Sequence, residues 1–182
     1  TDHMLALAIR EGIGHDGRAL HPAMWYRSFA APSDDDIAAV VVYLRSIPAV
    51  RNPLPRTLLP ADERARIAGE PQPITAPVAG PAPGDALARG KYLINVADCV
   101  GCHTSWYPAR MPGLFAGGNQ IERRSESAFS TNITHHASGV GYPAETFVAV
   151  MRSGKGGALS PLMPWVAFRG MTDDDLEAIH LA

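Results

Sequence analysis

The stretch Cys99-Val100-Gly101-Cys102-His103 constrains this chain more than any other. Cys-x-x-Cys-His is the attachment signature of c-type haem. Each thiol can add across one porphyrin vinyl group, giving two thioether links. Two intervening residues set the sulfurs at a matching separation. His103 follows directly, placed to turn its imidazole under the iron as proximal ligand. The chain has only two cysteines, both of them here, so no disulfide competes for them.

Two other chemistries use similar residues. A thioredoxin-like dithiol carries C-x-x-C at a helix start, but after a strand in a βαβ pattern. Here the preceding residues, 85–96, read as a helix. A zinc site needs a fourth ligand beside Cys99, Cys102 and His103. His135 and His136 offer nitrogen, but nothing spaces them as a zinc pair.

The 182 residues suffice for one ordinary domain or two small ones. A net charge of −2 and a pI near 6.3 give no reason to expect nucleic acid or an anionic membrane surface as partner. No apolar run is long enough to span a bilayer, and no signal peptide is recognisable. Haem attachment of this kind is normally completed outside the cytoplasm. The expectation is therefore a fragment of a longer protein, with Thr1 entering in mid-domain.

In chain order, 2–11 reads as a helix stopped by Gly12 and Gly14. Ser33 is an N-cap, with Asp34, Asp35 and Asp36 in the first turn, where the helix dipole favours carboxylates. That helix runs through Ile37, Val40, Val41 and Leu44 to Ile47 and stops at Pro48. Nine of the sixteen prolines lie between Pro48 and Pro83, which excludes long helices and central strands there. One short helix near 61–68 interrupts this connector. It is expected to pack along a surface, because Leu54, Leu58, Leu59, Ile74 and Val78 argue against full disorder. From Gly84 a new domain begins, with an amphipathic helix over 85–96. Gly90 inside it costs about 1 kcal/mol against Ala, understandable where another helix crosses closely. Residues 104–143 read as loops and 144–152 as a helix stopped by Gly154. Thr172 caps a last helix, with Asp173, Asp174 and Asp175 behind it.

Two passages repeat. Pro22, Met24, Phe29, Ser33 and Asp34–Asp36 each recur 139 positions later, as Pro161, Met163, Phe168, Thr172 and Asp173–Asp175. Ile9-Arg10-Glu11-Gly12 matches Met151-Arg152-Ser153-Gly154, with a three-residue length change between. Such a repeat means a duplicated structural unit. It turns Met24 and Met163 from core filler into ligand candidates. Met163, in a Pro-flanked loop after Cys-x-x-Cys-His and before a capped helix, is the expected distal iron ligand. A thioether favours the ferrous state and closes the sixth position, which suits electron transfer.

At these residues the chain resembles a class I cytochrome c. More narrowly, it is similar to the multi-haem cytochrome subunits of membrane-associated bacterial alcohol, gluconate, fructose and aldehyde dehydrogenases. The residues that carry the likeness are Ala88 to Leu93, Cys99 to Thr104, Thr131-Asn132-Ile133-Thr134, Met151 to Gly154 and Leu159 to Trp165. It covers 84–182 and 1–48, and the connector only loosely. The resemblance implies an all-α fold: a cytochrome c-like domain with long loops around haem over 84–182, with a shortened last helix. Residues 49–83 are then the connector, and 1–48 the C-terminal part of a second such domain, lacking its attachment motif. It implies Cys99 and Cys102 as thioether links, His103 as proximal and Met163 as distal ligand of one haem c. Met24 would ligate a preceding haem whose attachment motif is not in the sequence. Such subunits hold three haems and pass electrons from a dehydrogenase catalytic subunit to quinone or another carrier. The implied location is the periplasm or the outer face of the bacterial cytoplasmic membrane. Trp25 departs from the pattern, standing where the second copy has Pro164.

Other candidates have plainer readings. Trp106, Tyr107 and Trp165 suit haem-pocket packing. Asn132 and Thr134 suit either a hydrogen bond to a haem propionate or ordinary turn-making. Arg110, Arg123, Arg124 and Arg152 suit surface or propionate charges, and the Asp triplets are caps, not catalytic carboxylates. Three functions stay open: an electron-transfer module with six-coordinate iron, a peroxidase-like haem enzyme with an open iron site, and a zinc or dithiol module without haem.

Overall fold

The computed structural model describes residues 1–55, 57–106, 113–157 and 159–182. Tyr107 and Arg110 lie outside the described residues. The chain is mostly helical and forms two compact units, Thr1–Gly80 and Pro81–Ala182.

The first unit holds α1 (Asp2–Arg10), a 3₁₀ turn (Pro22–Met24), α2 (Tyr26–Phe29), α3 (Asp34–Ser46) and α4 (Ala61–Ala68). Ser33 Oγ accepts the Asp36 N–H at 3.2 Å, so the expected N-cap opens α3. Residues 49–80 group with this unit. Ile67 of α4 is buried, and Val78 exchanges hydrogen bonds with Asp34, taking its N–H at 3.0 Å. Outside α4 the prolines prevent regular structure but leave carbonyls and apolar side chains free to pack.

The second unit holds α5 (Ala86–Val96), α6 (Cys99–His103), a hairpin of β1 (Gln120–Arg123) and β2 (Glu126–Phe129), α7 (Ala144–Ser153), α8 (Trp165–Phe168) and α9 (Asp173–Leu181). α9 crosses α5 at Gly90, where an added Cβ would lie 1.9 Å from Ala178 O. Leu93 and Ala178 are buried at this crossing, while Leu176 of α9 joins Met151 and Phe168 in the core. The antiparallel hairpin corrects the expectation of loops alone over 104–143. Its strands are largely polar, and Arg124 turns it at φ 56° without the Gly or Asn that signals a tight hairpin. Among the described residues no helix is long and apolar enough to cross a membrane.

The sequence repeat is a repeat of geometry. Arg10 donates to Asp34 Oδ1 at 2.6 Å and to Pro32 O at 3.1 Å. Arg152 donates likewise to Asp173 at 2.8 Å and to Met171 O at 2.8 Å. Gly12 and Gly154 both close their helices at positive φ, 68° and 64°. The rings of Tyr26 and Trp165, matching positions, press on them too closely for a Cβ. Thr172 Oγ1 caps α9 as Ser33 caps α3, accepting the Asp175 N–H at 3.2 Å.

Arg89 Nε donates to Asp175 Oδ1 at 2.8 Å and pins α5 to the first turn of α9. The guanidinium holds the Asp175 carboxyl below the usual carboxylate range. A carboxyl with a depressed folded pKa adds stability that is complete above its unfolded value, about 3.9. That stability is lost as pH falls through the lowered folded value. Urea melts of wild type and Arg89→Gln should therefore differ near pH 7 and converge toward the acid end. A difference that persists undiminished at acid pH would assign the effect to packing instead.

Candidate functional site

The attachment motif forms a helix of its own. Asp98 enters at φ 52° and the five residues Cys99–His103 make little more than one turn. Cys99 and Cys102, three residues apart, share a face of that turn. Both are free and partly buried. Burial, with the Asp98 carboxylate next, pushes the Cys99 thiol up to about 11. The same causes raise Cys102. Reactive dithiols and thiolate metal ligands need the opposite environment. Among the described residues, no group of three or more His, Cys, Asp or Glu side chains gathers as a metal-ion site.

So short a helix cannot satisfy its own C-terminal carbonyls. Val100 O accepts the Thr104 N–H at 3.0 Å. The next four carbonyls are each met from outside. Trp106 Nε1 donates to Gly101 O at 2.7 Å. Asn119 Nδ2 donates to Cys102 O at 2.8 Å and to Thr104 O at 2.7 Å. The Gly117 N–H donates to His103 O at 2.7 Å.

His103 Nδ1 donates to Thr131 O at 2.7 Å. That bond fixes the tautomer and leaves Nε2 with its lone pair, as a ligating imidazole requires. The donor set therefore fits a haem c: two neutral thiols on one face of a turn, followed at once by an oriented imidazole. Thr131 is brought to His103 by a close approach of segments 115–119 and 130–133. Gly117, at φ 72°, permits it, since a Cβ there would lie 2.4 Å from Ser130 O.

Met163 is half-buried against the cluster of Met151, Phe168 and Leu176. Ala97, two residues before Cys99, packs on the same cluster. Trp165 closes the loop, its Nε1 donating to Ser160 O at 2.9 Å. Met24 occupies the matching position in the first unit, where it is exposed. The loops agree at their start: the Ala23 N–H caps onto His21 Nδ1 at 3.1 Å, and the Leu162 N–H onto Ser160 Oγ at 3.2 Å. They part after the methionine. Trp25 takes φ 59°, which Pro164, at φ −77°, cannot adopt.

Asn132 spends its side chain locally. Oδ1 accepts the Thr134 N–H at 2.9 Å and the Thr134 hydroxyl at 2.8 Å, and Nδ2 donates to Ser138 Oγ at 3.1 Å. His136 Nδ1 shares that turn through Ser138 Oγ. Arg152 is engaged by the start of α9, whereas Arg123 and Arg124 stand at the hairpin tip. The residue not foreseen from sequence is Asn119, which is 1% exposed.

No protein-family model matches the chain. Relatives do. Over 111 residues, 58% of this chain and 22% of the other, it is 35% identical to the fructose dehydrogenase cytochrome subunit of Gluconobacter japonicus. Over 99 residues, 52% and 20% respectively, it is 33% identical to the cytochrome c subunit of the quinone-type alcohol dehydrogenase of Gluconobacter oxydans. Over 102 residues, 53% and 22%, it is 34% identical to the gluconate 2-dehydrogenase cytochrome c subunit of Pantoea cypripedii. Over about half its length the chain is thus a homologue of dehydrogenase cytochrome c subunits. It spans about one fifth of the length of these relatives.

Proposed function

We propose that this chain carries one haem c on Cys99 and Cys102, with iron held by His103 and Met163, and that it relays single electrons. The observation that supports this most is the setting of the attachment turn. Both cysteines are unpaired, four successive carbonyls are fastened from outside, and the imidazole is oriented through Nδ1. A bound haem supplies a one-electron couple between ferrous and ferric iron. The protein's part is to hold that couple in place with little rearrangement. The Thr131 carbonyl holds the His103 ring in one orientation and leaves Nε2 as the nitrogen that would ligate. The core cluster under Met163 holds its thioether in a fixed, half-dry loop. Iron held on one side by His103 and on the other by Met163 has no open position for a substrate, which suits transfer rather than catalysis.

By analogy with its relatives, the chain belongs to a cytochrome subunit that takes electrons from a dehydrogenase catalytic subunit and passes them to quinone or another carrier. The location that suits this is the periplasmic side of the cytoplasmic membrane. Met24, in the matching loop, is the candidate ligand of a further haem whose attachment motif is not among these residues.

The test is expression with periplasmic cytochrome c maturation. Covalent haem should stain on a denaturing gel, and a pyridine haemochrome assay should give one haem per chain. Cys99→Ala with Cys102→Ala should abolish both signals. Oxidised protein should show a weak thioether-to-iron band at about 695 nm. A colourless product would overturn the proposal. A high-spin ferric spectrum that reacts with peroxide would point to an open-site haem enzyme instead.

A further inference from the structure

We infer that Asn119 is a positioning residue for the proximal side, tying the carbonyl that accepts from His103 to the helix that carries His103. This rests on the haem assignment of Cys99, Cys102 and His103 above. A primary amide has two N–H donors and a carbonyl acceptor. Asn119 uses both kinds of group, buried, on one short segment. Nδ2 donates to Cys102 O and Thr104 O, and Oδ1 accepts the Trp106 N–H at 2.8 Å. These partners bracket His103 on both sides.

The backbone of Asn119 faces the other way. Its N–H donates to Ser130 Oγ at 3.0 Å, and its carbonyl accepts the Ser130 N–H at 2.9 Å. The residue after Ser130 is Thr131, whose carbonyl accepts the hydrogen bond from His103 Nδ1. One residue thus sets the spacing between donor and acceptor of the bond that orients the imidazole. Strand pairing of β1 with β2 begins at Gln120 with Phe129, so Asn119 and Ser130 form the base of the hairpin. The hairpin is in effect a clamp closed on α6.

Loosening the clamp should weaken the Nδ1–H···O bond and make the ring a poorer donor. A poorer donor stabilises ferric iron less, so the ferrous form gains. The expected result for Asn119→Ala is an upward shift of the reduction potential by about 59 mV, a tenfold change in the oxidised-to-reduced ratio at fixed poise. Ser130→Ala removes only the hydroxyl acceptor and should shift the ratio two- to threefold in the same direction. Gly90→Ala is the control: it adds no charge and destabilises the same unit at the α5–α9 crossing, away from Asn119 and Thr131, and it should give no upward shift.

Redox titration of the holoproteins decides. Wild type is first stained for covalent haem; without stain the haem assignment itself fails, and this inference with it. With haem present, an upward shift in both variants but not in the control supports the clamp. If Asn119→Ala does not accumulate, a shift in Ser130→Ala alone supports it. A wild-type potential in Asn119→Ala, or in Ser130→Ala where that is the only variant obtained, overturns it and leaves Asn119 a structural brace.

Discussion

Replacing Gly90 with leucine should leave the second unit unfolded, and replacing it with alanine should cost up to about 2 kcal/mol. The first methyl atom added at this position would sit 1.9 Å from Ala178 O and 2.5 Å from its carbonyl carbon. Both are backbone atoms of α9, so no change of rotamer relieves the overlap. The Ala182 Cβ at 2.8 Å closes the remaining side. Alanine is the better helix former by about 1 kcal/mol, but overpacking typically costs about 1–3 kcal/mol and more where backbone must move. Here α9 would have to lift from α5. That lift exposes Leu93 and Ala178 and strains the Arg89–Asp175 pair. Leucine demands several times that space, beyond the roughly 5–15 kcal/mol that holds a small domain folded. Urea melts followed by circular dichroism give the value. A gain in stability in Gly90→Ala would mean that the helices do not approach as closely as described.

Gly90 also shows which features one-dimensional reading captures. A glycine within an amphipathic helix has few explanations other than a crossing, so the site of contact is visible without its partner. Helix ends are equally visible, because Ser33 and Thr172 act on residues three positions away. The repeat is legible because matched residues recur at fixed spacing, and Arg10 and Arg152 then make matching bonds. Asn119 is different. Its partners stand 13, 15 and 17 positions earlier in the chain, and it follows two glycines, where an asparagine reads as a turn-former. Asn132, which attracts notice in sequence, spends its side chain on neighbours two and six positions away. The signal that could have singled out Asn119 is the unmet demand of the attachment turn. Five residues of helix leave carbonyls that something distant must satisfy. The hairpin was hidden for a related reason: polar strands on a turn without glycine carry neither alternation nor a turn mark.

Met163→Leu should remove the band at about 695 nm and lower the reduction potential by on the order of 0.1 V or more, within the roughly 0.8 V span that axial ligands command. Leucine has nearly the volume of methionine, and such exchanges cost less than about 1.5 kcal/mol in a core. Packing on Met151, Phe168 and Leu176 should therefore survive while the sulfur is lost. A thioether favours ferrous iron, so its removal must favour ferric. Two controls separate ligation from packing. Met171 packs on the same cluster, and Met171→Leu should keep the band. Met24→Leu should keep it as well. Met24 shares the frame of Met163, down to the helix that follows each loop. Its unit contains no cysteine, however, whereas Met163 lies in the unit that holds Cys99, Cys102 and His103. A band that persists in Met163→Leu and disappears in Met171→Leu would move the distal ligand to the residue just before the α9 cap. A band lost only in Met24→Leu would instead assign the iron to the first copy of the repeat.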